Sequence, residues 1–230
     1  MRHSSAMAVS VLEREMFSEA EAARLLRLAP STLHYWLEGG ERRGKTYKPV
    51  IRPEARGERT VTWAEFIEAG LLRQYRREHH VPMAELRAFI DLLRDRMGVP
   101  YPLAHHRPFI ADRQLVLEAQ GEAGLDPDFC LVAVVNGQLV LTAPSQEFVD
   151  RVIWSDDIAT AWRPAADRRS PVIVDPAMRF GKPSVKGVST EVLWEYSEAG
   201  ETSEETAAAF GLSVGEVRWA VAYELTSRAA

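Results

Sequence analysis

The sequence predicts an α+β protein that is mainly α-helical, and three observations support this fold class. First, the capping-box pattern Ser/Thr-x-x-Glu marks four predicted helix starts, at Ser18, Thr62, Thr202 and Ser213. Second, apolar residues between 83 and 97 recur at the three- and four-residue spacing of an amphipathic helix. Third, Asn136-Gly137 separates two short apolar runs, which is a strong signal for a two-residue β-hairpin.

The composition limits the class of protein. The chain has 230 residues, of which 46% are apolar, enough for two or three compact units with their own cores. No run of about 18 apolar residues occurs, so we expect no membrane span, and residues 1–10 lack the apolar region of a secretory signal. The single cysteine, Cys130, excludes an internal disulfide framework and predicts a cytoplasmic location.

The formal net charge of −5 is unevenly distributed. Residues 1–100 contain 17 Lys and Arg against 14 Asp and Glu, whereas residues 101–230 contain 11 against 19. Because local patches decide whether phosphate is attracted, an acidic chain can still bind DNA. The asymmetry predicts different partners for the two ends.

The front of the chain predicts a flexible leader over residues 1–15 and a DNA-binding domain over residues 16–100. A first helix starts at the Ser18 capping box and is broken at Ala29-Pro30, where Pro30 suits the first turn of a second helix. That second helix ends at Gly39-Gly40.

Residues 45–62 follow as a predicted hairpin with a turn at 54–57, since strand-forming residues flank that turn. Two more helices, one opened by Thr62 and one from about Met83 to Met97, complete the domain. Helix, helix and hairpin in this order are the plan of a winged helix-turn-helix.

A central β-containing module is predicted over residues 101–171, from short apolar runs at 115–117, 130–135 and 138–141. Cys130 falls in this apolar pattern and is expected to be an inert core thiol. The final domain, residues 172–230, is predicted to be helical. It contains a second helix–turn–helix pair, whose two capping boxes flank Gly211.

The basic segment after the first helix pair predicts contact with duplex DNA. Residues 41–59 hold seven Lys and Arg against three acids, and the second helix would lie in the major groove with Leu33, Trp36 and Leu37 packed inward. The alternative is a structural three-helix core beside a solvated loop. The candidate DNA-contacting residues are Ser31, Thr32, His34, Tyr35, Arg42, Arg43, Lys45, Lys48, Arg56 and Arg59.

The sequence contains no clear motif for catalysis, metal binding or phosphate binding. We therefore predict no enzyme activity, catalytic residues, metal or cofactor. The pairs His79-His80 and His105-His106 lack metal-ligand spacing, and no C-x-x-C or H-E-x-x-H occurs. The segment Phe180-Gly-Lys-Pro183 lacks the spacing of a phosphate-binding loop, so a structural turn is the better interpretation.

Two stretches resemble known families. Residues 17–97 resemble the MerR-like winged helix-turn-helix, through a helix, Pro30-Ser-Thr-Leu-x-Tyr-Trp36, a basic wing and a following helix pair. Residues 172–225 resemble the DUF433 family, through Val174-Asp-Pro-x-x-x-Phe-Gly-Lys-Pro-x-Val-x-Gly-Val-Ser-Thr190. Members of the first family often have Arg where this chain has His34, and a neutral imidazole holds phosphate less firmly.

The DUF433 resemblance implies an antitoxin of the VapB type, from a type II toxin–antitoxin pair, opposite a PIN-like ribonuclease toxin. The chain would then bind operator DNA as a homodimer for autoregulation and neutralise its toxin. Residues 191–230 carry eight Glu and two Arg, and an acidic surface suits a basic protein partner. The alternative is a stand-alone MerR-like transcriptional regulator whose C-terminal half senses a small ligand.

Overall fold

The computed structural model describes residues 11–42, 44–76 and 83–228. The fold is α+β, and about half of the chain is helical. Two compact units are present: residues 1–150 with 154–159, and residues 151–153 with 160–230. Within the described residues, no helix is long and apolar enough to cross a membrane.

The first unit alternates helices with short antiparallel strand pairs. Its elements, in chain order, are β1 Glu15–Ser18, α1 Glu19–Leu26, α2 Pro30–Glu38, β2 Gly40–Arg42, β3 Lys45–Tyr47, β4 Thr60–Thr62, α3 Trp63–Arg76, α4 Met83–Met97, α5 Arg107–Ile110, α6 Arg113–Glu122, β5 Val132–Val135, β6 Gln138–Leu141 and α7 Ala143–Arg151. Short 3₁₀ turns lie at Pro102–Ala104 and Pro127–Phe129. The pair His79-His80, which follows α3, lies outside the described residues.

The predicted hairpin at 45–62 is wrong in its location. The hairpin is formed by β2 and β3, with Arg42 opposite Lys45, and β4 instead pairs with β1. Val50 and Ile51, expected in a strand, are buried and donate their backbone N–H groups to the Trp36 carbonyl oxygen at 2.9 and 3.0 Å. These amides therefore satisfy the end of α2 rather than a strand ladder.

The predicted leader also needs correction over residues 11–15. Leu12 is buried, the carbonyl of Arg14 accepts the Trp63 amide at 2.9 Å, and Glu15 begins β1. These residues therefore belong to the first unit. Residues 1–10 of the predicted leader lie outside the described residues.

Aromatic and aliphatic side chains form the core of the first unit. Trp63 stacks on Phe66 with ring centroids 5.5 Å apart, and the Phe17 ring centroid lies 4.9 Å from that of Phe66. Helix α4 packs on α6, which places residues beyond 100 against the front of the chain. The apolar spacing from Met83 to Met97 predicted α4 at the bounds observed.

The predicted central module is not a unit of its own. Leu115–Leu117, expected as an apolar strand run, lies inside α6, and residues up to 150 belong to the first unit. The predicted β5–β6 hairpin is confirmed, with Asn136 and Gly137 at φ of 50° and 76°, as a primed turn requires. Cys130 is half-buried in a loop rather than in a core strand.

Strands β7 Val152–Ser155 and β8 Ile158–Trp162 pair with each other. The boundaries between the two units fall inside these two strands, because residues 154–159 belong to the first unit and residues 151–153 and 160–230 to the second. The remaining elements of the second unit are a 3₁₀ turn at Arg179–Gly181, β9 Ser184–Val185, β10 Val188–Ser189, α8 Thr190–Glu198, α9 Ser203–Phe210 and α10 Val214–Arg228. Its core contains Val172, Val185, Leu193 and Ala220. The predicted helix pair around Gly211 is confirmed, with Gly211 as the left-handed cap of α9.

Candidate nucleic-acid interface

The helix pair α1–α2 is held by its turn and its buried face. Ala29 is the N-cap of α2, Pro30 occupies the first turn, and the Ala29 carbonyl accepts the Leu33 amide at 3.2 Å. Leu33, Trp36 and Leu37 are at most 1% exposed, as the spacing predicted. The opposite face of α2 is therefore the one available to a partner.

The four candidate contact residues of α2 differ in exposure. Ser31 is exposed, while Thr32 and His34 are half-buried. Tyr35, expected on the same surface, is only 8% exposed and belongs to the core, so its placement at the surface was wrong. One turn of α2, from Ser31 to His34, thus presents the polar side chains.

A buried carboxylate lies beneath this turn. Glu19, at the start of α1, is 4% exposed, and its Oε1 lies 3.0 Å from His34 Nδ1. Arg59 Nη1 donates to Oε2 of the same carboxylate at 3.1 Å, and the Glu19 amide donates to the Arg59 carbonyl at 2.9 Å. Glu19 therefore fixes two candidate DNA contacts, His34 of α2 and Arg59 before β4, in one place.

These residues line a shallow depression of about 420 Å³. Its walls are formed by the start of α1, the first turn of α2 and Arg59: Ser18, Glu19, Ala20, Pro30, Ser31, His34 and Arg59. The Arg59 side chain is 77% exposed, so its guanidinium remains open to solvent despite its bond to Glu19. The depression therefore places the Ser18 and Ser31 hydroxyls and the Arg59 guanidinium, which can bind a phosphate oxygen, around the Glu19–His34 pair.

The β2–β3 hairpin carries the exposed cations of the wing. Lys45 and Lys48 are exposed, and Lys45 Nζ lies 5.6 Å from the centre of the Tyr47 ring. Arg42 lies in β2, and Arg43 lies outside the described residues. The hairpin folds back directly after α2 because Gly39 has φ of 72°, and a Cβ there would lie 2.2 Å from the Tyr47 carbonyl oxygen.

Two of the seven basic residues of this segment support the fold through a second buried carboxylate. Arg52 is 1% exposed and donates from Nε to Glu65 Oε1 at 2.9 Å and from Nη2 to the Thr60 carbonyl at 2.6 Å. Arg56, a candidate DNA contact, also pairs with Glu65. Glu38 pairs with Arg52 and accepts the Gly57 amide at 2.8 Å.

Glu65 collects these partners because it opens α3 as the last residue of the Thr62 capping box, and its Oε2 accepts the Thr62 amide at 2.9 Å. The Tyr101 hydroxyl donates to its Oε1 at 3.1 Å. Burial, together with the nearby Glu65 charge, raises the pKa of Tyr101. The loop from 52 to 60 is thus anchored to α3. Among the side chains that the structure describes in this segment, Lys45, Lys48 and Arg59 are the exposed cations that pair with neither Glu65 nor Glu38.

Sequence reasoning did not identify Glu19 as part of the candidate site. A carboxylate at the first position of a helix normally serves the helix dipole and stays in solvent. Glu19 is buried instead because β4 and α2 close over it, a contact between residues 15 and 40 positions apart. The pairing of β1 with β4 brings Arg59 to Glu19, and the turn between α1 and α2 brings His34 to it.

The other candidate ligands and nucleophiles that the structure describes lie away from this surface. Among the residues that the structure describes, no three His, Cys, Asp or Glu side chains lie close enough to share a metal ion. His106 stacks on Trp154 with ring centroids 4.7 Å apart, and His105 Nδ1 lies 3.4 Å from Asp157. Burial, and secondarily Asp126, raise the pKa of the Cys130 thiol, which disfavours its reactive thiolate form.

The acidic residues of the second unit are less available than composition suggested. Glu216 lies 2.9 Å from Lys186, Glu204 3.2 Å from Arg218, and Glu224 3.4 Å from Arg228. Glu195, Glu198 and Glu201 are exposed around the end of α8. The acidic surface of this unit is therefore local rather than general.

Comparison with known proteins identifies relatives along nearly the whole chain. The chain is 33% identical over 227 residues to the uncharacterized protein Rv2308 of Mycobacterium tuberculosis, covering 93% of this chain and 92% of that protein. It therefore belongs to the same family as Rv2308. It is also 26% identical over 225 residues to a protein of the same organism named putative antitoxin VapB45, covering 88% of this chain and 91% of that protein.

The fold itself has a solved counterpart. The crystal structure of Rv2018 from Mycobacterium tuberculosis aligns with a TM-score of 0.74 and 23% identity, over 91% of this chain and 99% of that chain. The two proteins therefore share a fold. No family model matches the chain.

Proposed function

We propose that this chain is the antitoxin of a type II toxin–antitoxin pair, which neutralises a PIN-like ribonuclease toxin and binds operator DNA to regulate its own synthesis. The observation that carries the proposal is the similarity to VapB45, which extends over 88% of this chain and so includes both units. A similarity of this extent favours a role for the whole chain rather than for one shared module.

The first unit supplies the proposed DNA-binding surface, with α1 and α2 as a MerR-like helix-turn-helix and the β2–β3 hairpin as its wing. Ser31 and Thr32 would read base edges, and Lys45 and Lys48 would hold phosphates on either side. Tyr35 is not part of this surface, because it is buried.

The second unit, which resembles DUF433, is proposed to hold the toxin. Inhibition would be steric and electrostatic, so the chain itself would perform no catalysis and need no metal or cofactor. We further propose that the protein acts in the cytoplasm as a homodimer, since the two halves of an operator each require one helix pair.

Co-expression with the product of the adjacent gene tests this function. We expect a complex that survives size-exclusion chromatography, suppresses the ribonuclease activity of that product, and shifts a duplex from the region upstream of the operon. The matched control is this chain expressed with an unrelated PIN-like ribonuclease. A chain that shifts the duplex but forms no complex would instead be the stand-alone regulator.

A further inference from the structure

An exposed phenylalanine stands out in the second unit. Phe180 is 89% exposed, which makes it the most exposed large apolar side chain among the residues that the structure describes. Single apolar residues on a surface are common, so exposure alone decides nothing. The backbone that presents this ring is less ordinary.

Three successive residues around the ring have left-handed backbone angles. Arg179, Phe180 and Gly181 have φ of 51°, 55° and 71°. Only the glycine adopts this region without a steric cost, and residues held in it against that cost concentrate at functional sites. The conformation that exposes Phe180 therefore lowers the stability of the folded chain.

The loop that carries Phe180 is anchored on both sides. The Gly181 amide donates to the Met178 carbonyl at 3.0 Å, the Lys182 amide to the Arg179 carbonyl at 3.1 Å, and Arg179 Nε to the Gly187 carbonyl at 2.7 Å. Directly after it, Ser184 and Val185 are completely buried. The ring is thus presented by a fixed support, which reduces the entropy lost when a partner covers it.

Cationic side chains lie close to Phe180 in the sequence. Arg179, Lys182 and Lys186 are exposed on the same loop, and the latter two lie 3.5 Å from Glu191 and 2.9 Å from Glu216. An aromatic ring with basic sequence neighbours fits an apolar pocket that has carboxylates at its rim.

The surrounding charge favours a protein over a nucleic acid as the partner. Residues 172–228 contain five Lys and Arg against nine Asp and Glu. The two lysines of the loop are already close to carboxylates, and a net acidic surface repels a phosphate backbone. The charges around Phe180 therefore suit a protein partner better than a phosphate backbone.

We propose that Phe180, together with its sequence neighbours Arg179 and Lys182, is the anchor by which this chain docks into an apolar, acid-rimmed pocket on its toxin. This inference rests on the toxin-binding role proposed above and assigns the contact to one loop of the second unit.

Substitution by glycine separates docking from folding. Phe180→Gly removes the ring and relieves the left-handed strain, so the melting temperature of the variant is expected to stay the same or rise. Its affinity for the purified product of the adjacent gene, measured by isothermal titration calorimetry, is expected to fall about tenfold or more. Phe180→Tyr should keep most of the affinity.

The matched control is Leu225→Ala, which removes another exposed apolar side chain, 54% exposed, from the same unit and should leave the affinity unchanged. An unchanged affinity in Phe180→Gly overturns the docking assignment while the wild-type complex upholds the toxin-binding role. A wild-type chain that binds no toxin overturns both. If Phe180→Gly instead loses self-association or binding to single-stranded RNA, the surface belongs to that partner and the proposal is wrong.

Discussion

His34 Nδ1 lies 3.0 and 3.1 Å from the two carboxylate oxygens of Glu19. A carboxylate only accepts hydrogen bonds, so Nδ1 carries a proton and, in the neutral ring, Nε2 is left as an acceptor. A neutral His34 consequently has no ring N–H to donate to a phosphate. The Glu19–His34 pair therefore occupies the ring N–H that a neutral His34 could otherwise offer to DNA.

His34→Arg should raise the affinity for DNA, because a guanidinium always carries a positive charge and has several N–H donors for phosphate. We expect an increase of roughly threefold or more in fluorescence anisotropy titrations of the operator duplex at constant ionic strength. His34→Gln adds no charge and is the control, which should not show this increase. An unchanged affinity in His34→Arg would mean that position 34 does not face the DNA.

Removing the wing cations should weaken binding across all DNA sequences and reduce its salt dependence. Replacement of Arg42, Arg43 and Lys45 by Ala, or of Lys45 and Lys48 together, removes phosphate contacts that each contribute about 0.9 to the slope of log K against log salt. Arg169→Ala is the control, since its side chain is 85% exposed in the second unit. An unchanged slope in the wing variants would remove the hairpin from the interface.

Ser31 and Thr32 should determine sequence preference rather than overall affinity. Their hydroxyls lie on the first turn of α2, where base edges would be reached, and neither carries charge. Substitution of both by Ala should alter the ranking of operator variants in a competition assay. Equal weakening at every site would show that α2 does not enter the major groove.

Arg52 should matter for stability. Its guanidinium is buried against Glu65, Glu38 and the Thr60 carbonyl, and Arg52→Met removes the cation that both carboxylates share. Breaking a buried pair of this kind costs about 3–5 kcal/mol in the free energy of unfolding. Lys48→Met, at an exposed position of the same segment, should cost about 0.5 kcal/mol or less in guanidinium denaturation. Equal effects would contradict the structural role of Arg52.

Glu68 should make stability fall with rising pH. Burial raises its pKa from 4.5 to about 8, outweighing the opposing attraction of Arg94 and the Leu103 amide, with Glu65 adding to the rise. The folded chain therefore keeps a proton that the unfolded chain releases. Its contribution is most favourable below pH 4.5, is lost as the pH rises toward 8, and changes by about 1.4 kcal/mol per pH unit in between.

Glu68→Gln should remove this loss, so urea unfolding of the variant between pH 5 and pH 8 is expected to show a flatter stability profile. Glu41→Gln, at an exposed position, should keep the wild-type profile. A profile in Glu68→Gln that remains as steep as in the wild type would assign the pH dependence to a different residue.

Local chemistry made the helix starts and one hairpin predictable. The Ser18, Thr62, Thr202 and Ser213 hydroxyls each accept an amide three residues on, as their capping boxes require. Asn136-Gly137 likewise forms its turn within two residues. Signals complete within three or four residues do not depend on the rest of the fold.

Features set by distant contacts were predicted less well. Residues 60–62 are strand-forming, as expected, but their partner is β1, more than forty residues earlier, rather than the neighbouring segment. Leu115–Leu117 is apolar enough for a strand, yet it lies in α6, a helix that packs on α4. A three-residue apolar run does not distinguish a strand from part of a buried helix.

The candidate interface shows the same division. Residue type and spacing identified the buried face of α2 and the basic segment, but not which cations of that segment are engaged internally. Arg52 and Arg56 carry the same charge as Lys45, and only the position of Glu65 at the start of α3 separates their roles. Tyr35 was misplaced because its amphipathic side chain fits either face of a helix.

The hydrogen bond of Trp63 links the start of the first unit to its last residues. Its indole N–H donates to the Ala159 carbonyl at 2.7 Å, across 96 positions of sequence, and the His106 amide bonds the Asp157 carbonyl nearby at 2.9 Å. On the ribosome, the helix pair proposed to bind DNA is made early, whereas the segment that closes its core emerges last. The nascent chain therefore cannot finish this unit before residue 159 is translated and leaves the exit tunnel.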